Sequence, residues 1–224
     1  MKQSRFLSIF CVLLLVSTAF FLGQEATAQA RGTDIIIGQS LTLASKVFNR
    51  DVPVLVYVPN SYAAGSLSYP VLYVLNSYPF TFVCGTVEVL SGITEIPEMI
   101  VVGVPSFDRG YVPTPFEERG EGPTPTDLSI RFLKEELIPF MDNNYRTNAF
   151  RILYGHSVGG VFTMYTLFNH PDLFAAYLAG SPWFQTLDQY WLKNIEKMAK
   201  VRNLDNKFLY MTVGNQETQL TIDT

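Results

Sequence analysis

The chain has 224 residues, of which 48% are hydrophobic and 16% are charged, with a formal net charge of −4. Disordered chains are poor in apolar residues and rich in net charge, so this composition excludes disorder over most of the chain and suits about one globular domain. A mildly acidic chain without a basic block is a poor ligand for nucleic acid or anionic lipid, and we expect neither as a partner.

The first thirty residues have the pattern of a secretory signal peptide. Lys2 and Arg5 precede an uncharged run, residues 6–22, and small residues follow up to position 30. A membrane-spanning helix needs about 20 apolar residues, so the rival interpretation, an uncleaved anchor, fits this shorter run less well. We expect residues 1–30 to be removed. The mature domain, 31–224, is then expected to be secreted or periplasmic, without stable membrane association.

The sequence contains two cysteines, Cys11 and Cys84, which exclude a disulfide framework and a cysteine-rich zinc site. Loss of the signal peptide would leave Cys84 unpaired. We therefore expect a buried thiol, or a compartment such as a bacterial periplasm that tolerates a free one. Because no histidine or carboxylate cluster has metal-ligand spacing and no glycine-rich phosphate loop is present, we expect no metal and no cofactor.

Short β-rich segments bounded by turn residues predict six strands, at residues 54–58, 71–75, 99–104, 151–154, 174–179 and 208–213. The second, third and last of these are nearly continuous apolar runs, which is typical of central parallel strands covered on both faces. Helical patterns lie between the strands. This alternation predicts a three-layer α/β sandwich with a mostly parallel central sheet.

Two helical segments are predicted between the strands. The first runs from about Thr126 to Met141, with apolar residues at three-, four- and five-residue steps, and Pro139 is expected to kink or end its last turn. The second, 158–169, is apolar nearly all round and is predicted to be buried. The preceding region, 105–126, contains five prolines and is expected to be a long functional loop.

One motif indicates catalysis. A predicted strand runs through Gly155-His156-Ser157-Val158-Gly159 directly into a helix, which is the order that a nucleophile elbow requires. Glycines permit so sharp a turn, and the helix N-terminus adds partial positive charge where an oxyanion would form. The spacing alone is a weak signal. Its strand–turn–helix context favours a nucleophile over an incidental serine in a glycine-rich turn.

From about Val54 to Glu217 the chain resembles the esterase branch of the α/β-hydrolase superfamily, the family of esterase D-like, feruloyl and enterochelin esterases. The resemblance rests on the segments 69–75, 100–104, 107–109, 135–139, 145–147, 155–160 and 170–174. It implies a serine hydrolase that acts on small-molecule carboxylic esters or thioesters. The sequence departs from the family at Asn76-Ser77, where relatives often have Asp-Gly or His-Gly.

The motif and the resemblance together predict the catalytic residues. Ser157 is the predicted nucleophile, and the N–H of Val158 is one predicted oxyanion donor, with the second from Asn76 or Ser77. Relatives place the acid after a later strand, which indicates Glu217. Asp223 is the alternative acid, and Glu217 could equally be an ordinary solvated loop carboxylate.

The catalytic base is harder to place, since the chain has two histidines. His156 adjoins the nucleophile on a tight turn and is expected to project away from it. His170 lies about 20 Å from Ser157 along the intervening helix, whereas nucleophile and base must approach to about 3 Å. Relatives carry the histidine well after the acid. We therefore expect the last strand, the last helix and the catalytic histidine to lie beyond residue 224, and the chain as given to be nearly inactive.

Two aromatic residues are predicted to contact substrate. Trp183 and Phe184 follow a strand at the edge where open α/β sheets bind ligands, although a packing role explains them equally well.

Two functions stay open: an exported serine esterase, and a non-catalytic α/β-hydrolase-like binding protein that has lost its base. The sequence identifies neither the ester nor the oligomeric state.

Overall fold

The computed structural model describes residues 34–76, 79–105, 123–184, 190–201 and 203–214. Within these ranges seven strands form one sheet: β1 (Gln39–Ser45), β2 (Arg50–Tyr57), β3 (Tyr69–Leu75), β4 (Ile100–Val104), β5 (Thr147–His156), β6 (Ala176–Gly180) and β7 (Phe208–Thr212). The residues 1–30 assigned to a signal peptide, and most of the proline-rich loop, lie outside the described residues.

The strand order in the sheet is β1-β2-β4-β3-β5-β6-β7. The β1–β2 and β2–β4 pairs are antiparallel, and the remaining neighbours are parallel. Every residue of β3 and β4 is buried, as expected for central strands of a parallel sheet. The predicted mostly parallel sheet is therefore confirmed, and the described residues add β1, which the sequence analysis did not predict.

Helices connect the parallel strands. They are α1 (Phe80–Gly92), α2 (from Pro125 to Asn144), α3 (Val158–Asn169) and α4 (Tyr190–Val201). Short 3₁₀ turns lie at Asn60–Tyr62 and Pro171–Leu173. Helix α2 is α-helical over Pro125–Arg131, π-helical over Phe132–Leu137 and α-helical again over Ile138–Asn144. The bounds predicted for α3 match the structure, whereas α1 and α4 were not predicted.

Helix α2 begins one residue before the predicted start and continues beyond Pro139. The helix is capped by Thr124 instead of Thr126: the Thr124 hydroxyl accepts a hydrogen bond from the N–H of Asp127, whose carboxylate accepts one from the N–H of Thr124. Pro139 does not end the helix, because it sits in the first turn of the α-helical part that follows the π-helical segment, where its missing N–H costs little.

Helices cover both faces of the sheet. On one face α2 and α3 pack against β2, β3, β4 and β5, and the cluster includes Tyr73, Phe132 and Phe162. On the other face α1 packs through Phe80, Cys84 and Val87. This gives the predicted three layers.

Burial raises the pKa of the Cys84 thiol to about 12, which agrees with the expectation of a buried thiol.

The prediction that the last strand is covered on both faces was wrong. All five residues of β7 are exposed, and Phe208 and Tyr210 are each 57% accessible. The physical reason is its position: β7 is the edge strand of the described sheet and pairs with β6 alone. Its apolar sequence resembles that of a central strand because periodicity reports hydrophobicity and not position in a sheet.

The chain divides into two compact units, Met1–Ile36 and Ile37–Thr224, and every strand and helix named above lies in the second. None of the helices in the described ranges combines the length and the apolar character needed to cross a membrane.

Candidate active site

The turn between β5 and α3 has the geometry of a nucleophile elbow. Ser157 links the end of β5 to the first residue of α3 and has φ 56° and ψ −118°. Residues other than glycine rarely adopt a positive φ. A conformation of this kind costs about 1–3 kcal/mol and persists only where the surrounding structure holds it. Such a strained serine between a strand and a helix is the arrangement that presents a hydroxyl for attack.

The glycines of the motif have different roles. A Cβ added at Gly155 would lie 2.1 Å from the carbonyl oxygen of Gly159, which is backbone and cannot rotate away. A Cβ at Gly160 would lie 3.0 Å from the Cα of Pro182. At Gly159 the nearest atom would be Nδ2 of Asn76, at 3.4 Å, an ordinary contact. Gly155 is therefore the glycine on which the close approach of strand and helix depends.

Ser157 opens into a cavity of about 420 Å³. The cavity contains the predicted nucleophile and two predicted oxyanion residues, and its lining consists of Leu75, Asn76, Pro79, Tyr154, His156, Ser157 and Val158. A larger hollow of about 660 Å³ lies beside the β1–β2 turn, between Lys46 and Arg131. We place the candidate site in the smaller cavity because it alone of the two includes the strained serine and a helix N-terminus.

The oxyanion donors predicted from the sequence lie next to Ser157. Val158 is the first residue of α3, where backbone N–H groups have no partner within the helix and the helix dipole is positive. Asn76 follows β3, the neighbour of β5, and has a left-handed φ of 68°. Parallel strands end at the same edge, so both residues face one cavity. Ser77, the alternative second donor, lies outside the described residues.

The two histidines lie at opposite ends of α3. His156 is the last residue of β5, is exposed and lines the cavity with Ser157. His170 caps the C-terminus of α3, twelve helical residues or about 18 Å from the elbow, and its ring lies 6.3 Å from that of Tyr165. The helix thus separates His170 from the candidate site.

The two predicted aromatic residues have different environments. Phe184 is 3% exposed and packs with Val161, Met164 and Phe168 of α3, which favours the packing interpretation for this residue. Trp183 is 46% exposed, and its backbone N–H donates to the carbonyl oxygen of Ser157 at 3.2 Å. Contact between Trp183 and substrate stays a prediction.

The candidate acids Glu217 and Asp223 lie outside the described residues. The strand before them, β7, runs parallel to β6 and β5, and Thr212 pairs with Gly180 at the edge where Ser157 lies. Within the described parts of the chain no group of three or more His, Cys, Asp or Glu side chains is placed to hold a metal ion.

One feature of the site was missed by the sequence analysis. Ser181, directly after β6, has a left-handed φ of 40°, and the turn that it begins contacts the elbow. The only hint in the sequence is Gly180-Ser181-Pro182, a turn signal that gives no conformation for the serine.

The sheet order, the elbow and the helices on both faces define an α/β-hydrolase. The family described as "Putative esterase" matches residues 45–224, and the chain belongs to this family. The structure is similar to the crystal structure of an IroE-like serine hydrolase from Shewanella oneidensis, with a TM-score of 0.68 and 28% identity, over 78% of this chain and 60% of that one.

Two Bacillus subtilis (strain 168) proteins are similar in sequence. The chain is 27% identical to YjcH over 183 residues, which cover 79% of this chain and 72% of YjcH. It is 32% identical to the ferri-bacillibactin esterase BesA over 79 residues, which cover 35% of this chain and 27% of BesA. The chain thus spans about three fifths of the IroE-like hydrolase and a larger share of YjcH.

Proposed function

We propose that this protein hydrolyses carboxylic esters of small molecules with Ser157 as the nucleophile. The observation that carries the proposal is the left-handed Ser157 at the strand–helix turn, which opens into a cavity beside the N-terminus of α3. Membership of the esterase family supports the same class of reaction. A volume of about 420 Å³ lies within the ordinary range for small-molecule sites.

In the proposed reaction the Ser157 hydroxyl oxygen attacks the ester carbonyl carbon while a base takes its proton. The carbonyl oxygen becomes an oxyanion, which accepts hydrogen bonds from the N–H of Val158 and from a second donor at Asn76 or Ser77. Collapse of this intermediate releases the alcohol, which takes a proton, and leaves an acyl group on Ser157. Water then attacks the acyl carbon and releases the carboxylic acid.

We propose Glu217 as the acid of the triad and a histidine other than His156 and His170 as its base. The position of His170 at the far end of α3 supports the exclusion of that residue. His156 shares the cavity, but it follows Gly155 on the same strand and is paired with Gly180 of β6. Successive side chains along a strand point to opposite faces, which supports a base other than His156.

Hydrolysis of p-nitrophenyl acetate by the full-length protein, including the proposed third histidine, tests this proposal. We expect a rapid first turnover followed by a slower steady state, because an acyl-enzyme forms before water attacks. His156→Ala and His170→Ala should each retain activity within about tenfold, since removal of a true triad base costs about 10³-fold or more. Loss of the reaction in either variant would identify that histidine as the base. Absence of any turnover would favour the non-catalytic binding protein.

The substrate is proposed to be a small-molecule ester, and siderophore esters belong in the first test panel. BesA, which shares 32% identity with a third of this chain, is named for its action on ferri-bacillibactin. Ferri-bacillibactin should therefore be compared with p-nitrophenyl acetate and with a feruloyl ester. A higher kcat/KM for ferri-bacillibactin than for the feruloyl ester would favour a siderophore ester as the substrate class, and p-nitrophenyl acetate, whose leaving group is activated, serves only to show that the enzyme is active.

We also propose that the protein is exported and that processing removes residues 1–30. The basic, apolar and small-residue segments before Arg31 support this proposal. N-terminal sequencing of the secreted or periplasmic protein should give a first residue near Gln29 or Arg31. An intact Met1 in a membrane fraction would instead show that the apolar segment is an anchor.

A further inference from the structure

Three neighbouring strands are each followed by a residue other than glycine that has a positive φ. Asn76 after β3, Ser157 after β5 and Ser181 after β6 have φ values of 68°, 56° and 40°. Because β3, β5 and β6 are adjacent and parallel, these residues lie along one edge of the sheet. Backbone conformations of this kind persist only when neighbouring contacts hold them. The contacts that hold Ser157 are therefore part of how the site is built.

The backbone of Ser157 is bonded to the turn Gly180–Trp183 on both sides. Its N–H donates to the carbonyl oxygen of Gly180 at 2.9 Å, and its carbonyl oxygen accepts from the N–H of Trp183 at 3.2 Å. The same carbonyl oxygen accepts the first α3 hydrogen bond, from Val161 at 3.1 Å. Two of these three bonds come from outside the elbow.

The conformation of Ser181 directs the turn onto the elbow. The N–H of Ser181 still donates to the carbonyl oxygen of Thr212 at 2.8 Å, which continues the β6–β7 pairing. The chain then leaves the sheet at its left-handed φ, and Pro182 packs so close to Gly160 that a Cβ there would lie 3.0 Å from the Pro182 Cα. The turn therefore contacts the elbow by packing as well as by hydrogen bonds.

We propose that the turn Gly180–Trp183 is a clamp that positions the nucleophile, with Ser181 and Trp183 as positioning residues. The two hydrogen bonds prevent the backbone of Ser157 from relaxing out of its left-handed conformation. Relaxation would move the hydroxyl away from the oxyanion donors, and a displacement of about 1 Å at a reacting group can cost about 10²-fold in rate. The catalytic consequence rests on the proposed function, whereas the clamp itself does not.

The test compares Trp183→Pro with Trp183→Ala in the full-length protein. Both variants lose the indole ring, but only proline also removes the backbone N–H that donates to Ser157. We expect the Ser157 amide to exchange its hydrogen at least about tenfold faster in the proline variant, and inactivation by diisopropyl fluorophosphate to be at least about tenfold slower. The amide of Val102, in the central strand β4, serves as the internal reference and should exchange equally in both.

Equal exchange at Ser157 in the two variants overturns the clamp, and so do equal inactivation rates if the wild-type protein is inactivated. If diisopropyl fluorophosphate does not inactivate the wild-type protein, the proposed hydrolysis by Ser157 is wrong. The clamp is then tested by hydrogen exchange of the Ser157 amide alone. If Trp183→Pro does not fold, Gly160→Ala replaces it, since its Cβ would displace Pro182. Its control is Gly85→Ala in α1, far from the elbow, whose added Cβ meets no atom within 4 Å, and the same differences in exchange and inactivation are expected between these two variants.

Discussion

Replacement of Ser157 by alanine is expected to abolish covalent labelling by a fluorophosphonate probe and to lower ester hydrolysis by about 10³-fold or more. The hydroxyl oxygen is the atom that forms the acyl bond in the proposed reaction, so the variant has no site for the probe. Because alanine can keep the backbone of residue 157, the fold should persist. Labelling is measured by mass spectrometry of the modified peptide.

The matched control for this substitution is Ser91→Ala in the last turn of α1. The Ser91 hydroxyl donates to the carbonyl oxygen of Glu88 at 3.3 Å and lies outside the residues that line the cavity. This variant should label and hydrolyse like the wild-type protein. Labelling that survives in Ser157→Ala would place the nucleophile elsewhere and remove the elbow from the mechanism.

Replacement of Gly155 by alanine is expected to disrupt the elbow and the packing beneath it. The new Cβ would lie 2.1 Å from the carbonyl oxygen and 2.3 Å from the carbonyl carbon of Gly159, and 2.7 Å from Oγ1 of Thr163. The first two are backbone atoms, so α3 must move away from β5. Overpacking typically costs about 1–3 kcal/mol where side chains can adjust. Because the clash at Gly155 is with backbone atoms, which cannot rotate away, we expect the free energy of unfolding to fall by about 3 kcal/mol or more. Urea denaturation measures this loss.

The control for this effect is Gly85→Ala in α1, where the added Cβ meets no atom within 4 Å. Gly85 is a helical residue, so alanine should leave stability unchanged or raise it by about 0.4–1 kcal/mol. Near-equal unfolding curves for the two variants would show that strand and helix approach less closely than the structure has them.

The sequence predicted best those elements whose hydrophobic pattern is unambiguous. Strands β3 and β4 are apolar throughout because helices cover both faces, and α3 is bounded by the serine turn and by His170-Pro171. Helix α1 was not predicted because its sequence, Phe80–Gly92, contains two glycines, three β-branched valines and one charge. Such composition disfavours a helix locally, and packing of Phe80, Cys84 and Val87 on the sheet outweighs it.

The candidate site was predictable only in part. The order of strand, Gly-x-Ser-x-Gly and helix indicated Ser157 and Val158, and both lie in the cavity. The burial of Phe184 could not be predicted, because a residue beside a ligand-binding edge can face either the cleft or the core. The left-handed φ of Ser181 was equally beyond sequence analysis, since local propensity favours other conformations and contacts distant in sequence impose this one.

The conformation of Ser157 also bears on how this chain would change under drift. Glycine adopts a φ of 56° without steric cost, so a lineage freed from catalysis would gain stability at this position by a single substitution. Glycine adds no atom at this position, so the substitution introduces no steric clash. Under the proposed function the hydroxyl of Ser157 is the group that this substitution would remove, so the strain at residue 157 is the stability cost of keeping the nucleophile.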